Sequence, residues 1–171
     1  RINKINQPER DELLFTLYGP TGSHRLLLSA NASAPRLQYT QAPRENPQQA
    51  PMFCMFLRKY LTGALITEVS QPGGDRIAEL ALDCTDEFGY PSHRRLIIEL
   101  MGRYSNIILV DEDGRIMECL KRVDASMSPA RQILPGLFYR YPALQGKLPL
   151  ADSTREAVAE RIGAAPQDAA I

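Results

Sequence analysis

An acid and a base stand side by side behind a double glycine in the stretch QPGGDR, where Asp75 and Arg76 follow Gly73 and Gly74. A Pro-Gly pair is typical of a turn, and glycine accepts backbone angles that other residues avoid. An exposed acid-base neighbour pair adds little to stability. The residues alone therefore favour an ordinary surface turn. The alternative, that the turn presents the two side chains to a binding partner, stays open.

Other motifs that could do chemistry are weak. The segment GPTGSHR, Gly19 to Arg25, weakly resembles a phosphate-binding loop. It lacks the Lys-Ser/Thr pair of such loops and leads into a strand rather than a helix, so a hairpin turn is predicted. His24 and His93 have no Cys or carboxylate at metal or triad spacing and are predicted to be surface residues. No serine sits in a G-x-S-x-G elbow. We expect no metal and no cofactor, and a chain that is not itself an enzyme.

Composition narrows the class of partner. The chain has 171 residues, 44% of them hydrophobic, with 20 basic and 20 acidic residues. No whole-molecule field attracts it to polyanions, so such a partner must meet a local patch. Cys54, Cys84 and Cys119 form no CxxC pair, which argues against a disulfide framework and favours a reducing, cytoplasmic setting. No apolar run approaches the roughly 20 residues that span a bilayer, and no signal peptide is visible, so no membrane is expected.

Basic residues are more frequent in the second half of the chain. Residues 91–150 hold nine Lys or Arg against six acids, interleaved with Tyr104, Phe138, Tyr139 and Tyr141. Such residues could follow an RNA backbone and stack on exposed bases. The same mixture also covers ordinary solvated sheet faces, and the residues alone leave both interpretations open.

The elements that must position these residues are mostly strands. Short apolar runs alternate with turn residues, which predicts successive antiparallel hairpins and an α+β fold built as an antiparallel β-sandwich. The predicted strands are RINKINQ, DELLFTLYG, RLLLSA, SAPRLQYT, ALITEVSQ, RIAELALD, RRLIIEL, SNIILVDE and GRIMECLKRV. QAPRENPQQAP is too rich in Pro, Gln and Asn for regular structure and is predicted to be a loop.

Helical spacing occurs twice. In PMFCMFLRKYLTG the apolar residues recur every three or four positions, Pro51 suits a first turn and Gly63 a stop, which predicts one main amphipathic helix. From Asp152, DSTREAVAERIG predicts a short second helix. We therefore divide the chain into a β-rich domain, residues 1–142, and a linker with the start of a helical module, residues 143–171.

Several segments taken together resemble one family. RINKINQPERDELLF, LLLSANASAPRLQYT, NPQQAPMFCMFLRKYLTG, QPGGDRIAEL, RRLIIELMGRYSNIILVDEDGRI and RQILPGLFYRYP are similar, in this order, to the N-terminal domain of the NFACT proteins. The resemblance covers Arg1 to about Pro142. It implies a fold like the N-terminal domain of formamidopyrimidine-DNA glycosylases, without their chemistry, since those enzymes use an N-terminal proline that is not found here.

The resemblance also implies a function. NFACT proteins bind large ribosomal subunits obstructed by peptidyl-tRNA and recruit tRNA, alanine tRNA in bacteria, for template-free C-terminal tailing of the stalled chain. An older label for the family, fibronectin-binding protein A, implies the alternative of a surface adhesin that binds fibronectin. The expected partners are thus tRNA and the large subunit, with fibronectin as the competing candidate.

The family's Asp-Arg motif falls on Asp75 and Arg76, which the resemblance places on the tRNA anticodon arm. Arg can bridge phosphate or donate a two-pronged pair to a base edge. Asp is repelled by phosphate, so it is useful as an acceptor for base amines or as a clamp that orients the Arg. Neighbours on a straight strand point to opposite faces, and the glycine turn is expected to release both toward one RNA. GRYSN departs from the family pattern, with Tyr104 where His is usual.

Overall fold

Two antiparallel sheets make up most of the protein, as predicted. A computed structural model describes residues 1–143 and 153–164. The first sheet has the order β1-β2-β3-β4, with β1 Ile2–Glu9, β2 Glu12–Gly19, β3 Gly22–Ser29 and β4 Arg36–Tyr39. The second has the order β5-β6-β7-β8-β9, with β5 Leu65–Ser70, β6 Ile77–Thr85, β7 Pro91–Glu99, β8 Asn106–Val110 and β9 Ile116–Cys119. Each predicted strand is present with its bounds shifted by a few residues.

The main helix closes the core between the sheets. Helix α1, Met52–Leu61, buries Phe53, Cys54, Leu57 and Leu61 against apolar residues from both sheets. The predicted apolar stripe is confirmed as core, since Phe53, Leu57 and Leu61 are buried and its other two members are partly buried against the same cluster. Those other two are Phe56 and Tyr60. Gly63, predicted as the stop, follows the helix with a φ of 87°, a conformation that favours glycine.

The structure also shows the predicted hairpin turn at Gly19 to Gly22 and a short helix near the end of the chain. Gly19 and Gly22 pair across a two-residue hairpin turn, so GPTGSHR is a turn between strands as predicted. Helix α2 spans Arg155–Ala164, and the hydroxyl of Thr154 accepts a hydrogen bond from the Ala157 N–H at 3.2 Å. Asp152 and the linker residues 144–152 lie outside the described residues, and the boundary at residue 142 stays a prediction.

The segment that follows β9 covers the outer face of the five-stranded sheet. Two short bridges, Arg115 with Phe138 and Val123 with Ile133, hold it against the sheet edge. Ile133 joins a second, smaller apolar cluster with buried side chains of β6, β7, β8 and β9. The hairpin turns at the two ends of the sheet lie beyond this cover.

Candidate nucleic-acid interface

The turn that carries the sequence-predicted pair joins β5 to β6. Pro72–Gly74 forms a short 3₁₀ turn in which Gly73 has a φ of 60° and Gly74 a φ of 67°. Both angles lie in the left-handed region, which L side chains rarely adopt. The Asp75 N–H donates to the Pro72 carbonyl at 3.2 Å, and the Gln71 amide donates to the Asp75 carbonyl at 2.8 Å. The predicted role of the two glycines in making this turn is therefore confirmed.

Asp75 and Arg76 do not pair with each other. One carboxylate oxygen of Asp75, Oδ1, accepts the backbone N–H of Arg76 at 2.7 Å, so the acid fixes the backbone of its neighbour rather than its guanidinium. Within residues 1–143 and 153–164, the exposed Arg76 guanidinium makes no hydrogen bond or ion pair, and Asp75 Oδ2 has no partner. Five N–H donors and one carboxylate oxygen are thus left for an external ligand.

A second turn lies beside this one. The Leu100 N–H donates to the Arg76 carbonyl at 2.8 Å, which brings the β7–β8 connection next to the pair. That connection contains the 3₁₀ turn Gly102–Tyr104, and the Ser105 hydroxyl braces it by accepting the Met101 N–H at 2.8 Å. Sequence reasoning did not link the two turns, because their contact depends on the pairing of β6 with β7.

Arg103 and Tyr104 form the outward surface of the second turn. The Arg103 guanidinium lies 4.7 Å from the centre of the Tyr104 ring, a cation-π arrangement, and also donates to the Tyr104 hydroxyl. Tyr104 is 67% exposed. An exposed aromatic ring with an adjoining cation is suited to a nucleotide, since the ring can stack on a base and the cation can contact phosphate.

The hairpin topology sorts charge between the two ends of the five-stranded sheet. We define the basic end as the turns 71–76 and 100–105 with residues 120–122, and the acidic end as the turns 86–90 and 111–115. The basic end holds Arg76, Arg103, Lys121 and Arg122 against the single acid Asp75. The acidic end holds Asp86, Glu87, Asp111, Glu112 and Asp113 against the single base Arg115. A polyanion is therefore attracted to one end and repelled by the other.

Not every cation of the basic end faces outward. The Lys121 amine donates to the Ala30 carbonyl at 2.7 Å, and burial lowers the pKa of that amine below its ordinary value. Arg122 forms an ion pair with Glu118 at 3.0 Å. Lys121 joins the two sheets, and Arg76 and Arg103 are the cations best placed for an external anion.

Two carboxylates under the C-terminal segment were missed from the sequence. Glu99, 1% exposed, accepts bonds from both guanidinium nitrogens of Arg131 and from the Tyr139 hydroxyl. Glu79 accepts one bond from the Arg95 guanidinium and one from the Tyr141 hydroxyl. Burial, followed by the charge of Glu99, raises the pKa of Tyr139. The available signal was an acid standing inside each apolar strand, at positions where burial demands a partner.

These bonds change the interpretation of the aromatic residues. The proposed stacking role does not suit Tyr139 or Tyr141, because their hydroxyls bind buried carboxylates and their rings pack edge to face at 5.2 Å. Tyr141 is also exposed in part, but Tyr104 and Phe138 are exposed without a bond to a buried carboxylate among the described residues. Of the four aromatic residues, two therefore have a structural role and two are available for stacking.

The histidines and cysteines have mainly structural surroundings. Both histidines are exposed as predicted, and His93 lies 2.8 Å from the Asp83 carboxylate across β6 and β7, a pairing that the sequence spacing did not indicate. The three cysteines are free and buried. Over the described ranges, no group of three or more His, Cys, Asp or Glu could hold a metal ion. The helices of those ranges are too short and polar to cross a membrane.

Comparison with known proteins identifies relatives along nearly the whole chain. The family model described as "NFACT N-terminal and middle domains" matches residues 1–170. The "Rqc2 homolog RqcH" of Streptococcus pneumoniae serotype 2 is 46% identical over 143 residues, 83% of this chain and 26% of that protein. The protein of the same name from Bacillus subtilis strain 168 is 40% identical over 149 residues, 86% of this chain and 26% of that protein. The chain thus spans about a quarter of the length of these curated relatives.

A solved structure is similar in both fold and sequence. The N-terminal part of the fibronectin/fibrinogen-binding protein from Streptococcus suis superposes with a TM-score of 0.86 at 40% identity, covering 97% of this chain and 62% of that one. The two-sheet arrangement described above is therefore shared with a protein named for binding fibronectin and fibrinogen.

Proposed function

Because this chain belongs to the NFACT family, we propose that it is the RNA-binding module of a ribosome-associated quality control factor. In this proposal the whole protein acts in the cytoplasm, where it binds large ribosomal subunits obstructed by peptidyl-tRNA. It recruits tRNA, alanine tRNA in a bacterium, for template-free C-terminal tailing of the stalled chain. The peptidyl-transferase centre of the ribosome makes the peptide bonds, so this chain needs neither a catalytic residue nor a cofactor of its own.

The observation that carries the proposal is the guanidinium of Arg76 at the basic end, which has no partner among the described residues. An arginine that served only the fold would be expected to find a carbonyl or carboxylate, as Arg94 does with the Tyr60 carbonyl at 2.8 Å. Arg76 instead extends from a turn whose backbone is fixed by two left-handed glycines and by the Asp75 carboxylate. Such preorganisation lowers the entropy cost of binding.

Asp75 supports base recognition over simple attraction to phosphate. A carboxylate repels the RNA backbone, but its free oxygen can accept a base amine while Arg76 donates to a neighbouring base edge or phosphate. The anticodon arm presents unstacked bases, which proteins read by such contacts. Arg103 and Tyr104, on the adjoining turn, add a phosphate contact and a ring on which a base can stack.

Sequencing of the RNA bound to the full-length protein tests this proposal. The protein is purified from its own host as wild type, as the double variant Asp75→Ala/Arg76→Ala, and as the control Lys4→Ala, which removes an exposed charge from β1. The double variant should lose tRNA, at a cost of about 1–3 kcal/mol for each lost base contact, while the control retains it. Unchanged tRNA recovery from a correctly folded double variant would refute the assignment of this site.

A second candidate function is adhesion to fibronectin, favoured by the name of the Streptococcus suis structure. Three free, buried cysteines suit a reducing compartment better than the cell surface. Cell fractionation separates the two functions. The quality-control proposal expects the native protein with large ribosomal subunits, whereas a protein found mainly on the cell surface would favour adhesion.

A further inference from the structure

A cleft lined by three arginines lies in the segment that covers the outer face of the five-stranded sheet. Its volume is about 390 Å³, and it is bordered by Arg115, Arg131, Arg140 and Phe138. Its lining includes no carboxylate among the described residues. In a chain with equal numbers of acids and bases, a concave surface with only one sign of charge indicates an anionic ligand.

The three arginines differ in how well they are neutralised. Arg131 is held in the cleft wall by its two bonds to Glu99 and by a bond from its Nε to the Arg140 carbonyl at 2.7 Å. The Arg140 side chain is exposed and has no bond or ion pair within the described part of the chain. Arg140 therefore brings an uncompensated charge to the cleft.

Arg115 contributes the second guanidinium that no carboxylate binds within the described residues. It lies 4.2 Å from the centre of the Phe138 ring, and its only hydrogen bond among those residues is a long one, 3.4 Å, to the Gly136 carbonyl. The Asp111 carboxylate accepts the backbone N–H of Arg115 and not its guanidinium, so the donors of the guanidinium are left for a ligand.

Phe138 supplies an aromatic surface in a fixed position. The ring is 53% exposed, although its backbone is held by the bridge to Arg115 and by the Tyr139 N–H, which donates to the Gly114 carbonyl at 2.9 Å. An exposed phenylalanine beside two available guanidinium groups matches the combination by which proteins bind single strands, a stacking surface with cations along the backbone.

We propose that this arginine cleft binds a nucleotide of single-stranded RNA, with Arg140 and Arg115 on phosphate and Phe138 on a base. The cleft extends from Arg115, at the acidic end, to Arg131, which binds Glu99, and Glu99 pairs with Ile77, the residue after Arg76 at the basic end. One RNA can therefore contact both places. The choice of RNA over other anions rests on the proposed function, but the cleft requires neither Asp75 nor Arg76.

Binding of a fluorescent oligouridine to the full-length protein at low salt tests the proposal. Phe138→Ala and Arg140→Ala should each weaken binding by about five- to tenfold. Arg140→Ala should also reduce the slope of log affinity against log salt by about 0.7, the value for one phosphate of a single strand. Phe138→Ala should leave that slope unchanged, Phe138→Tyr should retain most of the affinity, and the control Lys4→Ala should bind as wild type.

Three results would overturn the cleft as an RNA site. The first is that the wild type does not bind oligouridine. The second is that both alanine variants bind it as well as the wild type does. The third is that uridine monophosphate and polyglutamate compete for binding as effectively as unlabelled oligouridine. The cleft and the Asp75-Arg76 turn fail separately. Loss of oligouridine binding in the cleft variants with unchanged tRNA in Asp75→Ala/Arg76→Ala refutes the turn alone, and the opposite pattern refutes the cleft alone.

Discussion

At one end of the five-stranded sheet two turns and residues 120–122 carry four cations against one carboxylate, and at the other end two turns carry one cation against five carboxylates. Both ends are built from the same element, a tight hairpin turn with left-handed glycines. Because consecutive antiparallel hairpins send alternate turns to opposite ends, a chain of zero net charge acquires two surfaces of opposite sign. The net charge of this fold therefore does not indicate the charge of its partner, whereas the distribution of charge among alternate turns does.

Removal of the carboxylate that anchors the cover near the basic end should have the largest effect. Glu99→Ala leaves Arg131 and the Tyr139 hydroxyl without their partner, and breaking a buried ion pair costs about 3–5 kcal/mol of unfolding free energy. Asp113→Ala, in an exposed turn of the acidic end, should change stability by less than about 0.5 kcal/mol. Denaturant unfolding measures the free energy of unfolding of both variants. Equal losses would contradict the expectation that the buried Glu99 contributes more to stability than the exposed Asp113.

Charge reversal should separate the ends in binding. Arg76→Glu and Arg103→Glu should each lower the affinity of the full-length protein for tRNA by about tenfold or more, because each replaces an outward cation with a repelled anion. Glu112→Lys at the acidic end should leave that affinity nearly unchanged. Titration with labelled tRNA at two salt concentrations gives the answer, and a gain from Glu112→Lys as large as the loss from Arg76→Glu would contradict a localised site.

The glycine turns allow a test in which stability is matched. Gly74→Ala at the basic end and Gly114→Ala at the acidic end both place a side chain at a positive φ, 67° and 84°, which costs roughly 1–2 kcal/mol. Neither added Cβ meets a close contact, so the two stability losses should be similar. Only Gly74→Ala should also weaken tRNA binding, since it disturbs the turn before Asp75. Equal tRNA binding by both variants would contradict a preorganised turn.

The smallest expected effect is the pH dependence of stability that comes from the buried thiols. Cys84 lies near the acidic end of the sheet and Cys119 near the basic end, so the thiols also compare the two ends. Burial raises the pKa of all three cysteines, that of Cys119 to about 12. In the unfolded chain a thiol has a pKa of about 8.5. The contribution of the buried thiols to the free energy of unfolding is therefore complete below that pH and is lost as the pH rises toward 12. A thiol reagent at neutral pH should label none of them before unfolding. Rapid labelling of one cysteine would reveal a loosely packed end.

Much of the fold could be predicted from the sequence because its signals are local. Alternating apolar residues marked the strands, helical spacing marked α1, and the glycine pair marked the turn before Asp75. The two-sheet fold and the family resemblance are confirmed by the structure and by the comparisons. These features depend on residues close together in the chain, where propensity and turn chemistry act.

The parts that could not be predicted depend on register between distant segments. The turn at Gly102–Tyr104 adjoins Arg76 only because Ile77 pairs with Glu99. The buried Glu99 finds its partners 32 and 40 positions away, at Arg131 and Tyr139. Such pairings follow from tertiary packing between distant segments, which local sequence patterns do not reveal. The roles of Asp75 and Arg76 in binding tRNA remain predictions.

Hydrogen exchange of the full-length protein with and without tRNA tests the central claim most directly, since it compares the two ends in one experiment. The account predicts that tRNA slows amide exchange in the turns 71–76 and 100–105 and leaves the turn 86–90, which lies away from both proposed RNA contacts, unchanged. Protection of the turn 86–90, or bound tRNA without protection of residues 71–76, would contradict it.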